Sequence, residues 1–119
     1  MAEDGARRIT RFYFMIQVSD MSRAVAFYTA ALGTELRLES PQLSEVHVGD
    51  VTVCLKASEG LPARRSTGLM IEVADIGRAC DAIVAGGGEV LGPVGPTVES
   101  VEAADTEGNL FTIVPERAG

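Results

Sequence analysis

The chain has 119 residues, of which 46% are hydrophobic and 23% charged, and its 17 acidic and 10 basic residues give a formal net charge of -7. This length fits one compact domain, and the composition is typical of a chain that folds around an apolar core. Residues 1–59 carry 8 acids and 6 bases (net -2) and residues 60–119 carry 9 acids and 4 bases (net -5), so neither half has the basic face that nucleic acid requires.

The sequence also argues against a membrane partner and against a secreted disulfide scaffold. No apolar run approaches the roughly 18 to 20 residues of a transmembrane helix. The two cysteines, Cys54 and Cys80, lack the close, even spacing of disulfide-rich domains. We therefore expect a cytoplasmic protein. His47 is the single histidine, which excludes a two-histidine, one-carboxylate iron site within one chain.

Two stretches of the chain match each other at an offset of 55 residues. Residues 15–33 (MIQVSDMSRAVAFYTAALG) and residues 70–88 (MIEVADIGRACDAIVAGGG) are identical at 8 of 19 positions. Composition alone would give about one or two identities. The chain is therefore expected to contain two copies of one supersecondary unit.

The first copy begins with a strand, since Phe12, Phe14, Ile16 and Val18 alternate with more polar residues. Asp20 then occupies the position of a helix N-cap, and apolar residues recur behind it at helical spacing up to residue 33. Three strand-like runs follow at residues 34–39, 44–49 and 51–57. The pattern predicts the order β-α-β-β-β.

The second copy repeats this order, with Asp75 as the helix cap, glycines at 86–88 as the helix end, and strands at residues 88–91, 100–104 and 110–114. We predict a flexible N terminus at residues 1–10, a first module at 11–57, a linker at 58–67 and a second module at 68–116. The two modules together form one domain.

The predicted fold class is α+β, with two β-α-β-β-β repeats whose curled mixed sheets surround a cleft. One helix covers one face of each four-stranded sheet and leaves the other face open, so that two sheets, from one chain or from two, can enclose a cavity. By strand alternation, the open faces carry Tyr13, Met15, Gln17, Glu45, His47, Thr52, Cys54, Lys56, Gly68, Met70, Glu72, Leu110, Thr112 and Val114.

Two motifs resemble the vicinal oxygen chelate superfamily, which includes glyoxalases, bleomycin resistance proteins and dioxygenases. The stretch VSDMSRAVAFY at 18–28, followed by ALG at 31–33, is similar to the family's strand-to-helix signature. The stretch DTEGN at 105–109 is similar to the family's turn before the last strand. The resemblance covers roughly residues 11–116 and implies the glyoxalase/bleomycin-resistance fold.

The resemblance also implies four metal-ligand positions, one on the first and one on the last strand of each half. They fall on Tyr13, Cys54, Gly68 and Thr112. Family enzymes hold a divalent ion there with His, Gln or Glu, whereas this chain supplies none of these. Glycine has no side chain and threonine is a poor ligand. The expectation is therefore a metal-free member without a cofactor, and glyoxalase or dioxygenase chemistry is disfavoured.

The leading hypothesis is a metal-independent binding protein for a small organic molecule, cationic or planar, resembling the antibiotic-resistance members, which are homodimers. The candidate ligand-binding residues are Tyr13, Met15, Gln17, His47, Cys54, Met70, Glu72 and Thr112. Tyrosine and methionine suit flat organic molecules, although both also fill cores. Glu72 is suited to a cationic group, and Gln17 is its repeat mate.

An alternative hypothesis is a metal-free isomerase, lyase or cyclase, with Glu72 or His47 as general base and Tyr13 as proton donor. A thiol nucleophile at Cys54 is a further option, opposed by the reading of Cys54 as an inert buried thiol. A metalloenzyme with a differently registered set, His47, Glu45, Glu72 and Glu102, is a less favoured third hypothesis.

Overall fold

The computed structural model describes residues 8–93 and 100–116. The flexible N terminus predicted for residues 1–10 therefore falls mostly outside the described residues. The first module contains β1 (Phe14–Val18), α1 (Met21–Ala26, continued by a π-helical turn over Phe27–Ala31), β2 (Glu35–Leu38), β3 (Leu43–Val48) and β4 (Val51–Ala57). The second contains β5 (Arg65–Val73), α2 (Ile76–Ala85), β6 (Glu89–Pro93), β7 (Val101–Ala104) and β8 (Asn109–Pro115).

Both helices begin at the aspartates that the repeat predicts. Asp20 has an extended backbone, and its carboxylate accepts a hydrogen bond from the Arg23 amide at 3.1 Å. Asp75 does the same for the Arg78 amide at 3.0 Å. Each bond satisfies one of the amides that the first turn of a helix leaves without an internal partner.

Each module folds into its own four-stranded mixed sheet, in the orders β1-β4-β3-β2 and β5-β8-β7-β6. In each sheet the first strand is parallel to the fourth, and the other neighbours are antiparallel. The predicted fold class is confirmed. The two sheets remain separate, without strand pairing between them in the described chain.

One apolar core joins the modules, and it lies on the helix-covered sides of the sheets. It contains Ile16 and Leu55 of the first sheet, Phe111 and Ile113 of the second, and Phe27 of the π-helical turn. Burial of these side chains provides the main favourable free energy of the fold. Because both sheets contribute their helix-covered sides, the opposite face of each sheet points away from this core.

The turn between β7 and β8 fastens the second module to the first. The Asp105 carboxylate, 4% exposed, accepts hydrogen bonds from the side chain and the amide of Asn109. The Asn109 side chain also donates to the carbonyl of Gln17 in β1 at 3.0 Å. Two residues away from Gln17, the amide and hydroxyl of Ser19 donate to the Glu107 carboxylate at 2.6 and 2.7 Å. The DTEGN turn is thus an inter-module clamp.

Candidate functional site

The four family metal positions lie on the open sides of the two sheets. Cys54 of β4 is directly across from Met15 of β1, and Thr112 of β8 is directly across from Met70 of β5. Tyr13 comes just before β1 and is 48% exposed. Gly68 lies where β5 shifts register against β8, with a positive φ of 77°.

These residues do not fit a divalent metal ion. Gly68 contributes no side chain, and burial, followed by the neighbouring Glu45 carboxylate, raises the pKa of the Cys54 thiol. A thiol binds metal as the thiolate, which this environment disfavours. Across residues 8–93 and 100–116, no three His, Cys, Asp or Glu side chains are grouped to hold an ion. The set His47, Glu45, Glu72 and Glu102 lies within these ranges and forms no such group.

The two repeat-related methionines dominate the open faces instead. Met15 is 59% exposed and Met70 is 65% exposed, and each lies across from a position that the family resemblance assigns to a metal ligand. Methionine is flexible and polarizable, and it adapts to ligands of irregular shape. Each open face therefore presents a soft apolar side chain next to a small polar one, Cys54 or Thr112.

His47 already has oxygen partners at both ring nitrogens. Its Nε2 lies 3.3 Å from the Glu35 carboxylate, and its Nδ1 lies 3.3 Å from the carbonyl oxygen of Gly49. A general base needs a free ring nitrogen directed at the ligand. This geometry leaves neither nitrogen of His47 without an oxygen neighbour.

Glu72 and Tyr13 lie in different surroundings. Glu72 is exposed and has no hydrogen bond or ion pair within the described part of the chain. Tyr13 stacks under Arg11, whose guanidinium carbon is 5.1 Å from the ring centroid. Tyr13 does not line the hollow that contains Glu72 and His47.

Three hollows contain most of the predicted ligand-binding residues. A cavity of about 250 Å³ is lined by His47, Met70 and Glu72 together with aliphatic side chains of both modules. We call it the inter-module cavity. A hollow of about 220 Å³ contains Met70 and Thr112, and one of about 180 Å³ contains Met15 and Gln17. A larger, polar hollow of about 620 Å³ beside Asp20 and Pro41 contains none of the predicted residues.

Sequence reasoning missed two features of these surfaces. Thr52, predicted to face the cleft, is only 1% exposed, and its hydroxyl has no partner in the described part of the chain. Arg65, predicted to lie in a linker, begins β5 and donates to the carbonyls of Gln17 and Glu107 at 3.0 and 2.9 Å. The aliphatic wall of the inter-module cavity gave no sequence signal, since aliphatic residues on the helix-covered side of a strand are typical of a core.

Residues 10–113 match the sequence profile of the Glyoxalase/Bleomycin resistance protein/Dioxygenase superfamily. No curated protein matches the chain. Among solved structures, the fosfomycin resistance protein FosX from Listeria monocytogenes is similar with a TM-score of 0.75 and 16% identity, over 93% of this chain and 96% of that one. A hypothetical protein from S. aureus gives 0.73 and 17%, over 95% and 98%. TnmS3, an antibiotic binding protein from Streptomyces sp. CB03234, gives 0.68 and 18%, over 93% and 100%. At these identities the likeness establishes the fold alone.

No helix in the described ranges is long and apolar enough to cross a membrane.

Proposed function

The chain belongs to the Glyoxalase/Bleomycin resistance protein/Dioxygenase superfamily, and from this membership we propose that it is a metal-independent binding protein for a small organic molecule. The ligand is cationic or planar and binds at the open sheet faces, in a homodimer whose second copy completes the cleft. The alternative of a metal-free enzyme receives less support, because both ring nitrogens of His47 face oxygens of Glu35 and Gly49 and because Tyr13 does not line the hollow that contains His47 and Glu72.

The observation that carries the proposal is the pairing of exposed methionines with positions that the family resemblance assigns to metal ligands. Met15 lies across from Cys54, and Met70 lies across from Thr112, so both halves have the same arrangement of a methionine opposite a small polar residue. Each pair favours van der Waals contact with an organic ligand over coordination of an ion. A ligand there would be held by shape and apolar contact.

The charge of the open faces supports a cationic ligand. Glu45 is the cross-strand neighbour of Cys54 in the first sheet, and Glu102 is the cross-strand neighbour of Thr112 in the second. Glu72 lies near the end of β5, next to its last residue, Val73. The net charge of -7 adds a weaker, long-range attraction for cations.

Exposed apolar side chains support the homodimer. On the open faces, Met15 is 59% exposed and Met70 is 65% exposed, and Tyr13 just before β1 is 48% exposed. Single-chain soluble proteins seldom leave large contiguous apolar patches in water. A second copy laid against the open faces would cover them and would enclose a ligand between two sheets. Sedimentation equilibrium tests this: a single species of dimer mass is expected, and a monomer at all concentrations contradicts it.

Two of the structurally similar proteins support the ligand class. FosX is a fosfomycin resistance protein, and TnmS3 is an antibiotic binding protein. We extend only the broad theme of antibiotic-sized ligands to this chain.

The proposal is tested by thermal unfolding with a panel of cationic and planar antibiotics, each with and without excess chelator. A ligand that binds only the folded state raises the melting temperature. At least one compound is expected to raise it equally in both conditions. A shift that disappears with chelator, and returns with manganese, nickel or zinc, would contradict metal independence. No shift from any compound would contradict the ligand class.

A further inference from the structure

We propose that the inter-module cavity is a second ligand site, with its aliphatic wall on the helix-covered side of the first sheet and with Met70 and Glu72 of the open face of β5 at its rim. It takes a small, mostly apolar organic amine. The cavity lies on the helix-covered side of the first sheet, where β5 approaches the turn between β3 and β4. Its walls come from Tyr28 of the π-helical turn, Val48, Val51 and Val53 of the first sheet, and Leu69 and Ile71 of β5.

The repeat shows why a space exists here. At one junction between the modules, β1 meets the β7–β8 turn, and Asn109 and Arg65 fill the contact with hydrogen bonds to the Gln17 carbonyl. At the equivalent junction, β5 approaches the β3–β4 turn. Glu72 of β5 is the repeat mate of Gln17. The β3–β4 turn is short and is flanked by Val48 and Val51. The aliphatic side chains of Val48 and Val51 cannot form such bonds, and a cavity remains.

The size and lining select the ligand. An engineered apolar cavity of about 150 Å³ in another protein holds benzene. At about 250 Å³, this cavity accommodates a somewhat larger, single-ring molecule. The deep wall includes Tyr28, 2% exposed, and Val46, fully buried, whereas Val48 and Val51 at the mouth are 63% and 52% exposed. Apolar pockets with few polar groups are typical small-molecule sites.

The polar side chains that line the cavity indicate the charge of the ligand. The Tyr28 phenol donates to Asp105, the Thr34 hydroxyl donates to the Tyr28 carbonyl, and both nitrogens of His47 face other oxygens. Glu72 alone among these side chains has no partner in the described ranges. Glu72 alternates with Ile71 along β5 and therefore lies at the rim of the cavity rather than in its aliphatic wall. A ligand with an apolar body and a protonated amine would place its body against the valines and its charge at this rim, beside Glu72.

The test is a titration with 2-phenylethylamine, followed by amide NMR shifts of the full chain. Saturable shifts are expected at Val48, Val51 and Leu69 and not at Cys54 of the open face. The neutral analogue 2-phenylethanol has the same skeleton and tests the charge. Glu72→Gln is expected to weaken the amine about two- to fivefold, as for an exposed ion pair, and to leave the alcohol unchanged.

A matched pair of tryptophan variants tests the location. Val51→Trp fills the mouth and is expected to abolish the shifts, whereas Leu36→Trp, at another exposed aliphatic position outside the cavity, is expected to preserve them. Both positions are partly exposed, so both variants should fold, which their spectra will show. The proposal is wrong if both variants bind equally, if amine and alcohol respond equally to Glu72→Gln, or if only open-face amides shift. The last result would still agree with the function proposed for the open faces.

Discussion

The phenol of Tyr28 donates a 2.7 Å hydrogen bond to the carboxylate of Asp105, and this bond links the π-helical turn of the first module to the β7–β8 turn 77 residues later. Both side chains are almost completely buried, at 2% and 4% exposure. A buried hydrogen bond to a charged acceptor is stronger than one at the surface. The relative position of the two modules, and with it the shape of the inter-module cavity, depends on this contact.

Tyr28→Phe is expected to lower the free energy of unfolding by about 1.5 to 3 kcal/mol, the range for a hydrogen bond to a charged group. Urea denaturation measures it. Tyr13→Phe is the matched control: Tyr13 is half exposed and its hydroxyl has no hydrogen-bond partner in the described chain, so a change within about 0.5 kcal/mol is expected. Equal effects of the two changes would contradict the role of the Asp105 bond.

The buried phenol of Tyr28 also leads us to expect that the protein loses stability at alkaline pH. Burial, and then the Asp105 carboxylate, raise the pKa of Tyr28 well above its usual value in the folded state. The unfolded chain therefore loses this proton first, near pH 10, and the folded state binds more protons above that pH. Stability from this group is complete below about pH 10 and falls as pH rises further. Urea midpoints between pH 8 and 11 are expected to fall less steeply for Tyr28→Phe than for the unmodified chain; parallel curves would exclude Tyr28 as the source.

Cys54 is expected to react slowly with iodoacetamide. Burial and the Glu45 carboxylate raise its thiol pKa, so little thiolate is present at pH 8. In a Cys80→Ser background, the folded protein should be alkylated severalfold more slowly than the same variant in urea. A faster rate in the folded state would contradict this expectation and revive the hypothesis of a thiol nucleophile.

Gly60 and Gly108 both have a left-handed backbone, and together they allow the cost of backbone strain to be measured apart from the cost of a steric clash. Gly108 has φ 84°, and a Cβ there would collide with the carbonyl oxygen of Ala63. Gly60 has φ 68°, and a Cβ there meets open space. Gly60→Ala is expected to cost about 1 to 2 kcal/mol of unfolding free energy from backbone strain alone. Gly108→Ala should cost more than this, or prevent folding, in thermal and urea denaturation. Equal costs would show that the loop at Ala63 moves aside.

The exposed methionines give a prediction for the open faces. For any compound that raises the melting temperature, Met15→Ala and Met70→Ala are each expected to reduce its affinity about five- to tenfold, through loss of roughly 1 kcal/mol of apolar contact. Leu38→Ala is the control, since Leu38 is 45% exposed but lies outside the three hollows. Calorimetric titration measures all three. Unchanged affinity in both methionine variants would place the ligand elsewhere.

Local sequence signals predicted most of the fold. The aspartate caps, the alternation of β1 and the offset repeat gave the β-α-β-β-β order because each depends on neighbouring residues along the chain. β4 was predicted with its observed bounds, 51–57. β5 begins at Arg65, within the stretch expected to be a linker, because the Arg65 guanidinium is fixed by carbonyls of Gln17 and Glu107, which are distant in sequence.

The candidate site was less predictable, because it also depends on contacts between residues that are distant in sequence. Alternation assigned Met15, Cys54, Met70 and Thr112 to the open faces, and the strand register agrees. Strand alternation does not report how the two sheets are arranged. The shared core on their helix-covered sides, and the cavity beside β5, depend on contacts between modules that no local pattern encodes. The roles of the predicted ligand residues stay predictions.

The backbone of β5 at Gly68 limits how this protein can change. From Ser66 to Met70 β5 advances four residues, whereas their partners in β8, Leu110 and Thr112, are only two residues apart. Gly68 lies within that offset with φ 77°. A histidine substituted there would start from a backbone that disfavours any side chain. A metal site with a ligand at residue 68 would therefore require a different register of β5 against β8, as well as donors at positions 13, 54 and 112. Substitutions at the exposed side chains of Met15 and Met70 meet no such backbone constraint, so the open faces can change their ligand preference more easily than they can gain a metal ligand at residue 68.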